Sequence, residues 1–379
     1  MDRRTFVKSA GVAGLVGLAG CTGGGPSEGG QEETTTESGG EETTESGGEQ
    51  TTTEEEMSGP SANVGMVYAL GGLGDKSFND AAKRGVDQAE SELGIAYDEA
   101  QPSAAEEFPQ FQRRFAQSSN PDYDLVSCIG FAQASALTET APNFPEQNFM
   151  IVDSVVEQDN VASYVFREEQ GSFQVGYLAG LLTTQDFSAG SGSTNPDQKN
   201  VGFVGGVDAP LIRKFQAGFE AGVAYADEEI SVDVAYAGSF SDSAKGKEIA
   251  TSMYENGADI VYHAAGGVGL GVFQAAKEQG KFAIGVDSDQ SITEPNYADV
   301  ILASMVKRVE TAVFTSIENV VNDSFNGGEA VTLGLEEEGV GVAYGAELGA
   351  DISDDIKAEL DASAEAIIAG DIDVPTTTE

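Results

Sequence analysis

The chain has no tryptophan, one histidine, two cysteines, and 19 basic residues set against 64 acidic ones. The shortage of cations excludes most. A net charge of −45 argues strongly against nucleic acid as a partner, because phosphate binding needs Lys and Arg to displace counterions. It equally opposes direct attraction to anionic lipid headgroups. The acid excess runs on past the N-terminal segment, and such a surface repels itself at low salt. It suits molar salt, where the Debye length shrinks to about 3 Å, so a halophilic source is expected. One histidine and no cysteine cluster argue against a zinc site. A Ser-His-Asp hydrolase would have to use His263, and no G-x-S-x-G elbow supplies its serine. His263 follows the apolar Asp259-Ile260-Val261-Tyr262 and reads as a satisfied structural residue. Cys128, inside the apolar run Leu125 to Ile129, has no disulfide partner and reads as a small buried hydrophobe. Beyond the N-terminus no apolar stretch reaches 18 residues, so no transmembrane helix is expected.

What is present begins with an address. Arg3-Arg4-Thr5-Phe6-Val7-Lys8 is followed by a short apolar run, Ala10 to Gly20, which ends in Leu18-Ala19-Gly20-Cys21. Paired arginines, an apolar run too short to span a bilayer, and small residues before a cysteine mark a twin-arginine lipoprotein signal over residues 1–21. Cys21 would start the mature chain and carry the lipid. The protein is then expected on the extracellular face of the cell membrane, held by that lipid. Residues 22–60 contain eleven Glu and no Lys or Arg. They cannot bury enough apolar area to offset ordering entropy, and are expected to form a disordered acidic tether.

The remaining residues, about 320, are enough for two lobes. From Val64 onward, short apolar runs alternate with helical spacing. Val64 to Tyr68, Ile95 to Tyr97, Leu125 to Ile129 and Asn148 to Val152 read as strands, with helices between them. A second series runs from Phe173 to Val286, interrupted by a polar loop at 186–199 that looks like an insertion. A helix over Ala303 to Val321 and apolar pieces near 331–344 follow. Repeated strand and helix units imply α/β lobes with parallel sheets, and a ligand cleft between their strand ends.

Several short stretches are placed to carry chemistry. Gly71-Gly72-Leu73-Gly74-Asp75-Lys76-Ser77-Phe78-Asn79 follows the first strand. It is not a P-loop, because Asp75 stands where glycine is required and would repel phosphate. It presents Phe78 and Asn79 at a helix start. One reading is an aromatic and an amide that hold a flat heterocycle. The other is a core Phe and a helix cap. Asp153 and Asp287 each stand at the end of an apolar strand, where a carboxylate faces the cleft and suits sugar hydroxyls. Gly266-Gly267-Val268-Gly269 lets a ligand approach the backbone at a helix start. Lys307, followed by Arg308, is a cation in a helical stretch otherwise acidic and apolar.

Together, Gly74-Asp75-Lys76-Ser77-Phe78-Asn79-Asp80, Tyr236-Ala237-Gly238-Ser239-Phe240-Ser241-Asp242 with Lys245-Gly246-Lys247, and Gly285-Val286-Asp287-Ser288-Asp289-Gln290 resemble the basic membrane protein (BMP) family. These are PnrA-like lipoproteins, the nucleoside-binding components of ABC transporters. The resemblance spans residues 62 to about 345. It implies a type I periplasmic-binding-protein fold, with two Rossmann-like lobes joined by three crossovers, and no catalysis or cofactor. It implies a nucleoside base between Phe78 and Phe240, read by Asn79 and Asp153. The ribose would meet Gly266 or Gly267, Asp287 and Lys307. A monomer handing its ligand to an ABC permease is expected; the alternatives are a surface receptor of the same fold and, less in keeping with the motifs, a nucleoside hydrolase. The lobes are expected at 62–167 plus 290–325 and at 168–289 plus 326–350, with 351–379 as an extension.

Overall fold

The computed structural model describes residues 59–378; the signal segment, Cys21 and the acidic tether lie outside the described residues. The first series runs β1 (Asn63–Val67), α1 (Phe78–Leu93), β2 (Ala96–Ala100), α2 (Phe108–Ala116), β3 (Leu125–Cys128), α3 (Ala134–Thr140), β4 (Asn148–Val152) and β5 (Val161–Phe166). The second begins with α4 (Glu168–Thr183), the hairpin β6 (Ser188–Ala189) and β7 (Gly192–Ser193), β8 (Asn200–Gly205), α5 (Pro210–Ala226) and β9 (Ser231–Tyr236). It continues through α6 (Ser243–Glu255), β10 (Ile260–Ala264), α7 (Gly269–Gln279), β11 (Phe282–Asp287), α8 (Gln290–Thr293) and β12 (Ile301–Lys307). The last elements are α9 (Val309–Val321), β13 (Ala330–Leu333), β14 (Val340–Tyr344) and α10 (Asp354–Ala369).

Apart from the antiparallel β6–β7 hairpin, these strands make two six-stranded sheets, ordered β13-β5-β4-β3-β1-β2 and β14-β12-β11-β10-β8-β9. All pairings are parallel except the edge pair β12/β14. Each sheet reverses its strand order beside its first strand, β1 or β8. At such a reversal the loops leave to opposite faces and open a crevice beyond the carboxyl ends. The inner strands are buried on both faces; β8, β10, β11 and β12 are buried along their whole length, as expected of sheets covered by helices.

The chain crosses between the lobes three times: from β5 to α4, from β12 to α9, and from β13 to β14. This corrects the expected lobe boundaries. β12 pairs with β11, so residues 301–307 belong to the second sheet rather than the first. β13 pairs with β5, so residues 330–333 belong to the first. The helix expected over 303–321 is likewise divided, its first five residues lying in β12. The sequence Ile301-Leu302-Ala303-Ser304-Met305-Val306-Lys307 is buried throughout, and a fully buried strand lacks the alternation that would separate it from a buried helix. The 186–199 loop sits away from the cleft. Its Asn195 N–H donates to Asp259 Oδ2 at 2.9 Å, just ahead of β10.

Candidate functional site

The carboxyl ends of both sheets face one cavity of about 670 Å3, its open mouth included. The first lobe contributes Ala69 and Leu70 after β1, Asp75, Phe78 and Asn79 around the start of α1, Gly130 to Ala132 after β3, and Asp153 after β4. The second lobe contributes Leu211, Ile212 and Phe215 of α5, Phe240 after β9, Gly266 after β10, and Asp287 and Lys307 at the ends of β11 and β12. Seven of the eight residues singled out in the sequence therefore line one cavity. Gly267, the eighth, is set one residue back, near the Phe240 carbonyl.

The start of α1 is held by Asp75. Its carboxylate accepts the backbone N–H groups of Ser77 at 3.0 Å, Asn79 at 2.9 Å and Asp80 at 3.1 Å. This satisfies donors that a helix start leaves free. Burial pushes the Asp75 carboxyl above its ordinary range, and those amides pull against it. Asn79 is therefore not the cap. Its Oδ1 accepts from Ala69 N–H at 2.9 Å, which ties the glycine loop to the helix. Its Nδ2 lies 3.5 Å from the Ala69 carbonyl, a weak contact. Phe78 is half-buried at the cavity wall.

Phe240 sits on a backbone shelf. A Cβ at Gly206 would fall 2.4 Å from its ring, so only glycine leaves the ring its place. Gly266 holds a φ of 56°, a left-handed conformation that glycine adopts without penalty. A Cβ there would lie 3.2 Å from the Phe240 carbonyl.

The charged residues form one network. Lys307 is buried, at the end of a strand rather than in a helix. Its Nζ lies 2.6 Å from Asp153 Oδ1, 2.7 Å from Oδ2 and 3.2 Å from Glu168 Oε1. Three aromatic rings surround the same ammonium, with Nζ to centroid distances of 5.1 Å for Phe78, 5.0 Å for Phe166 and 5.5 Å for Phe215, within cation–π range. Burial alone would pull Lys307 down, but Asp153, Glu168 and Asp287 outweigh it and hold the group above its ordinary value. Glu168 in turn accepts from Lys214 Nζ at 2.7 Å. Asp153 is pushed up to about 6, by burial first, with Lys307 pulling the other way. Asp287 accepts a hydrogen bond from Ser77 Oγ of the opposite lobe. Burial pushes it up to about 7, and Lys307 opposes this. Asp153 and Asp287 both hold left-handed backbone, at φ 69° and 64°, which turns each side chain out of its strand line toward the cavity.

Sequence reasoning missed Phe131, Phe166, Leu211, Ile212 and Phe215, and the network partners Glu168 and Lys214. Phe131 and Phe166 stand at strand ends, the placement that identified Asp153, and could have been found the same way. Phe215 and Lys214 lie inside a helix pattern and carry no such signal. Among the described residues, no group of three or more His, Cys, Asp or Glu is arranged to hold a metal ion.

The comparisons with known proteins decide the family. The model of the PnrA-like ABC transporter substrate-binding proteins matches residues 62–378. The chain belongs to this family. Its PnrA-like relatives include a protein of Lactococcus lactis described as an ABC transporter nucleoside-binding protein. That relative is 35% identical over 330 residues, covering 82% of this chain and 87% of the relative. A protein of Pyrococcus abyssi described as an uncharacterized lipoprotein is 33% identical over 76% of this chain and 70% of its own length. Among solved structures, an ABC transporter solute-binding protein of Aeropyrum pernix superposes with a TM-score of 0.74. It is 29% identical, with 84% of this chain and 94% of that chain covered. The PnrA-like lobes thus carry the type I periplasmic-binding fold that the motifs implied.

Proposed function

We propose that this substrate-binding protein is anchored outside the cell by a lipid on Cys21 and captures a nucleoside, a purine nucleoside by preference, for delivery to an ABC permease. The observation that carries the reading is the placement of Phe78 and Phe240. They come from different lobes and line one cavity, so a planar base between them is satisfied on both faces only when the lobes are closed. Stacking on an aromatic contributes about 1–3 kcal/mol per base and tolerates different bases. The Asn79 amide, with its Nδ2 barely used by Ala69, is free to read the base edge. Asp287 supplies an acceptor for paired sugar hydroxyls, and Lys307 supplies a donor whose position Asp153 and Glu168 fix. Direct contact between Asp153 and Lys307 brings the base-reading and sugar-reading roles to one end of the cavity. The named relative supports the nucleoside, and the lipoproteins of Pyrococcus support the anchor. The acid excess fits work in high salt.

Calorimetric titration of the Met57–Glu379 unit in molar salt tests the ligand class. Guanosine, adenosine, inosine, uridine and ribose are the probes. Binding of nucleosides at micromolar concentration or tighter, with ribose silent, is expected. Silence toward every nucleoside from a folded protein would move the ligand to another class.

A further inference from the structure

Beside the cavity the lobes meet along a seam of direct side-chain and backbone contacts. Gln290 lies at its centre, only 1% exposed. Its backbone N–H donates to Ser304 Oγ at 3.0 Å. Its Oε1 accepts the Val286 N–H at 2.8 Å and faces His263 Nε2 at 2.9 Å. A backbone N–H can only donate, so the Val286 contact identifies the amide oxygen. It follows that His263 carries its proton on Nε2 and donates it. Burial pushes this imidazole down to about 4, so the ring is neutral through the physiological range. The oxygen end of Gln290 is thereby committed to its own lobe. The nitrogen end points across the cleft and donates to the Lys76 carbonyl at 3.1 Å.

Three further contacts cross the same seam. Thr293 Oγ1 reaches the Lys76 carbonyl at 3.4 Å, Arg84 Nη2 donates to Ser288 Oγ at 2.7 Å, and Ser77 Oγ donates to Asp287. Lys76 itself holds φ 55°, the left-handed region that a side-chain-bearing residue rarely adopts. The segments that make the seam, 76–84 and 287–293, also carry Phe78, Asn79 and Asp287 of the cavity wall.

We infer that Gln290 is a positioning residue that latches the two lobes shut, with His263 setting the orientation of its amide. The ligand and the latch then act on the same two segments, so a ligand that draws them together also brings the Gln290 amide onto the Lys76 carbonyl. A substrate-binding protein stabilised in its closed state in this way releases ligand slowly, because release must break the seam first.

The Gln290→Glu substitution separates the latch from a packing role. A glutamate still accepts from Val286 and His263, but once ionised it meets the Lys76 carbonyl without a donor; burial raises such a carboxyl, so both arms are run in alkaline buffer. The ligand arm uses the nucleoside reading proposed above, with guanosine as probe and dissociation followed by surface plasmon resonance. The second arm needs no ligand. Spin labels at Glu92→Cys and Gln279→Cys, in a full-length Cys21→Ser chain, report the distance between lobes; Cys128 is buried and stays unlabelled. Guanosine is expected to leave Gln290→Glu about tenfold faster than the parent, the loss of one hydrogen bond and its replacement by an unfavourable contact. The label distances are expected to shift outward with and without nucleoside. Unchanged label distances would overturn the latch whether or not guanosine binds. A parent protein silent to all nucleosides would overturn the ligand class while the labels still decide the latch. Should Gln290→Glu fail to fold, Arg84→Met combined with Thr293→Val removes two other bonds of the seam near the surface. The same outward shift is then expected, and its absence refutes the latch.

Discussion

Replacing Phe240 with alanine is the sharpest test of the cavity. The ring rests on the backbone of Gly206, where a Cβ would come within 2.4 Å of it, so it is held in place before any ligand arrives. Its removal deletes one of two stacking faces without altering either sheet. A stacking contribution of about 1–3 kcal/mol, at about 1.4 kcal/mol per tenfold, corresponds to a loss of about 5- to 150-fold. The pre-set ring argues for the upper part of that range, since little ordering entropy offsets its contact. A loss of at least about tenfold is therefore expected. Calorimetry with guanosine in molar salt measures it directly, and the absence of tryptophan leaves no indole fluorescence to follow instead. Phe240→Leu, which keeps apolar area but loses the π-face, should fall between parent and alanine. Phe240 is half-buried in a loop, so the thermal midpoint should hold. A loss below threefold, with the midpoint unchanged, would refute the sandwich.

Nucleoside affinity should depend on pH through Asp287. Its carboxyl is raised to about 7 by burial, and the ionised form accepts from sugar hydroxyls more strongly than the protonated one. Affinity should then fall below pH 7, by at most about tenfold per pH unit, and level off above it, and calorimetry in buffers of different ionisation enthalpy should show proton release on binding. The same raised value means that the native state binds more protons than the unfolded state between about pH 4 and 7, so this group's contribution to stability declines as pH rises through that window. Lys307→Met should destabilise the fold by about 3–5 kcal/mol, because it strands the buried Asp153 without a cation and leaves Glu168 only Lys214. Adding Asp153→Asn should recover part of that loss in denaturant titration. Replacing Arg3 and Arg4 with lysines should leave unexported precursor in cell fractions, whereas Cys21→Ser should shift the exported protein from membrane to medium.

Much of the site was legible in the sequence because parallel α/β sheets place their functional loops at strand ends. Phe78, Asp153, Gly266 and Asp287 all follow apolar runs and were read as facing the cleft, whereas Phe240 was singled out only by the family resemblance. Lys307 was read as a lone cation in a helix, although Arg308 follows it directly and its segment is a strand. Only pairing with β11 and β14 shows that its segment is a strand. Glu168 and Lys214, which hold Lys307 in place, stand among 64 acids and 19 bases with nothing local to distinguish them.

The sequence by itself determined the alternating architecture, the acid excess and the carboxylate residues offered to the cleft. Each of these rests on composition or short-range periodicity, which the chain carries wherever it is folded. Tertiary structure alone decided the assignment of β12 and β13 to their sheets, the use of Asn79 to hold its own loop, and the meeting of Gln290 with the Lys76 carbonyl across more than 200 residues. Those outcomes depend on which distant segments share space, and a one-dimensional pattern does not encode a hydrogen bond between them.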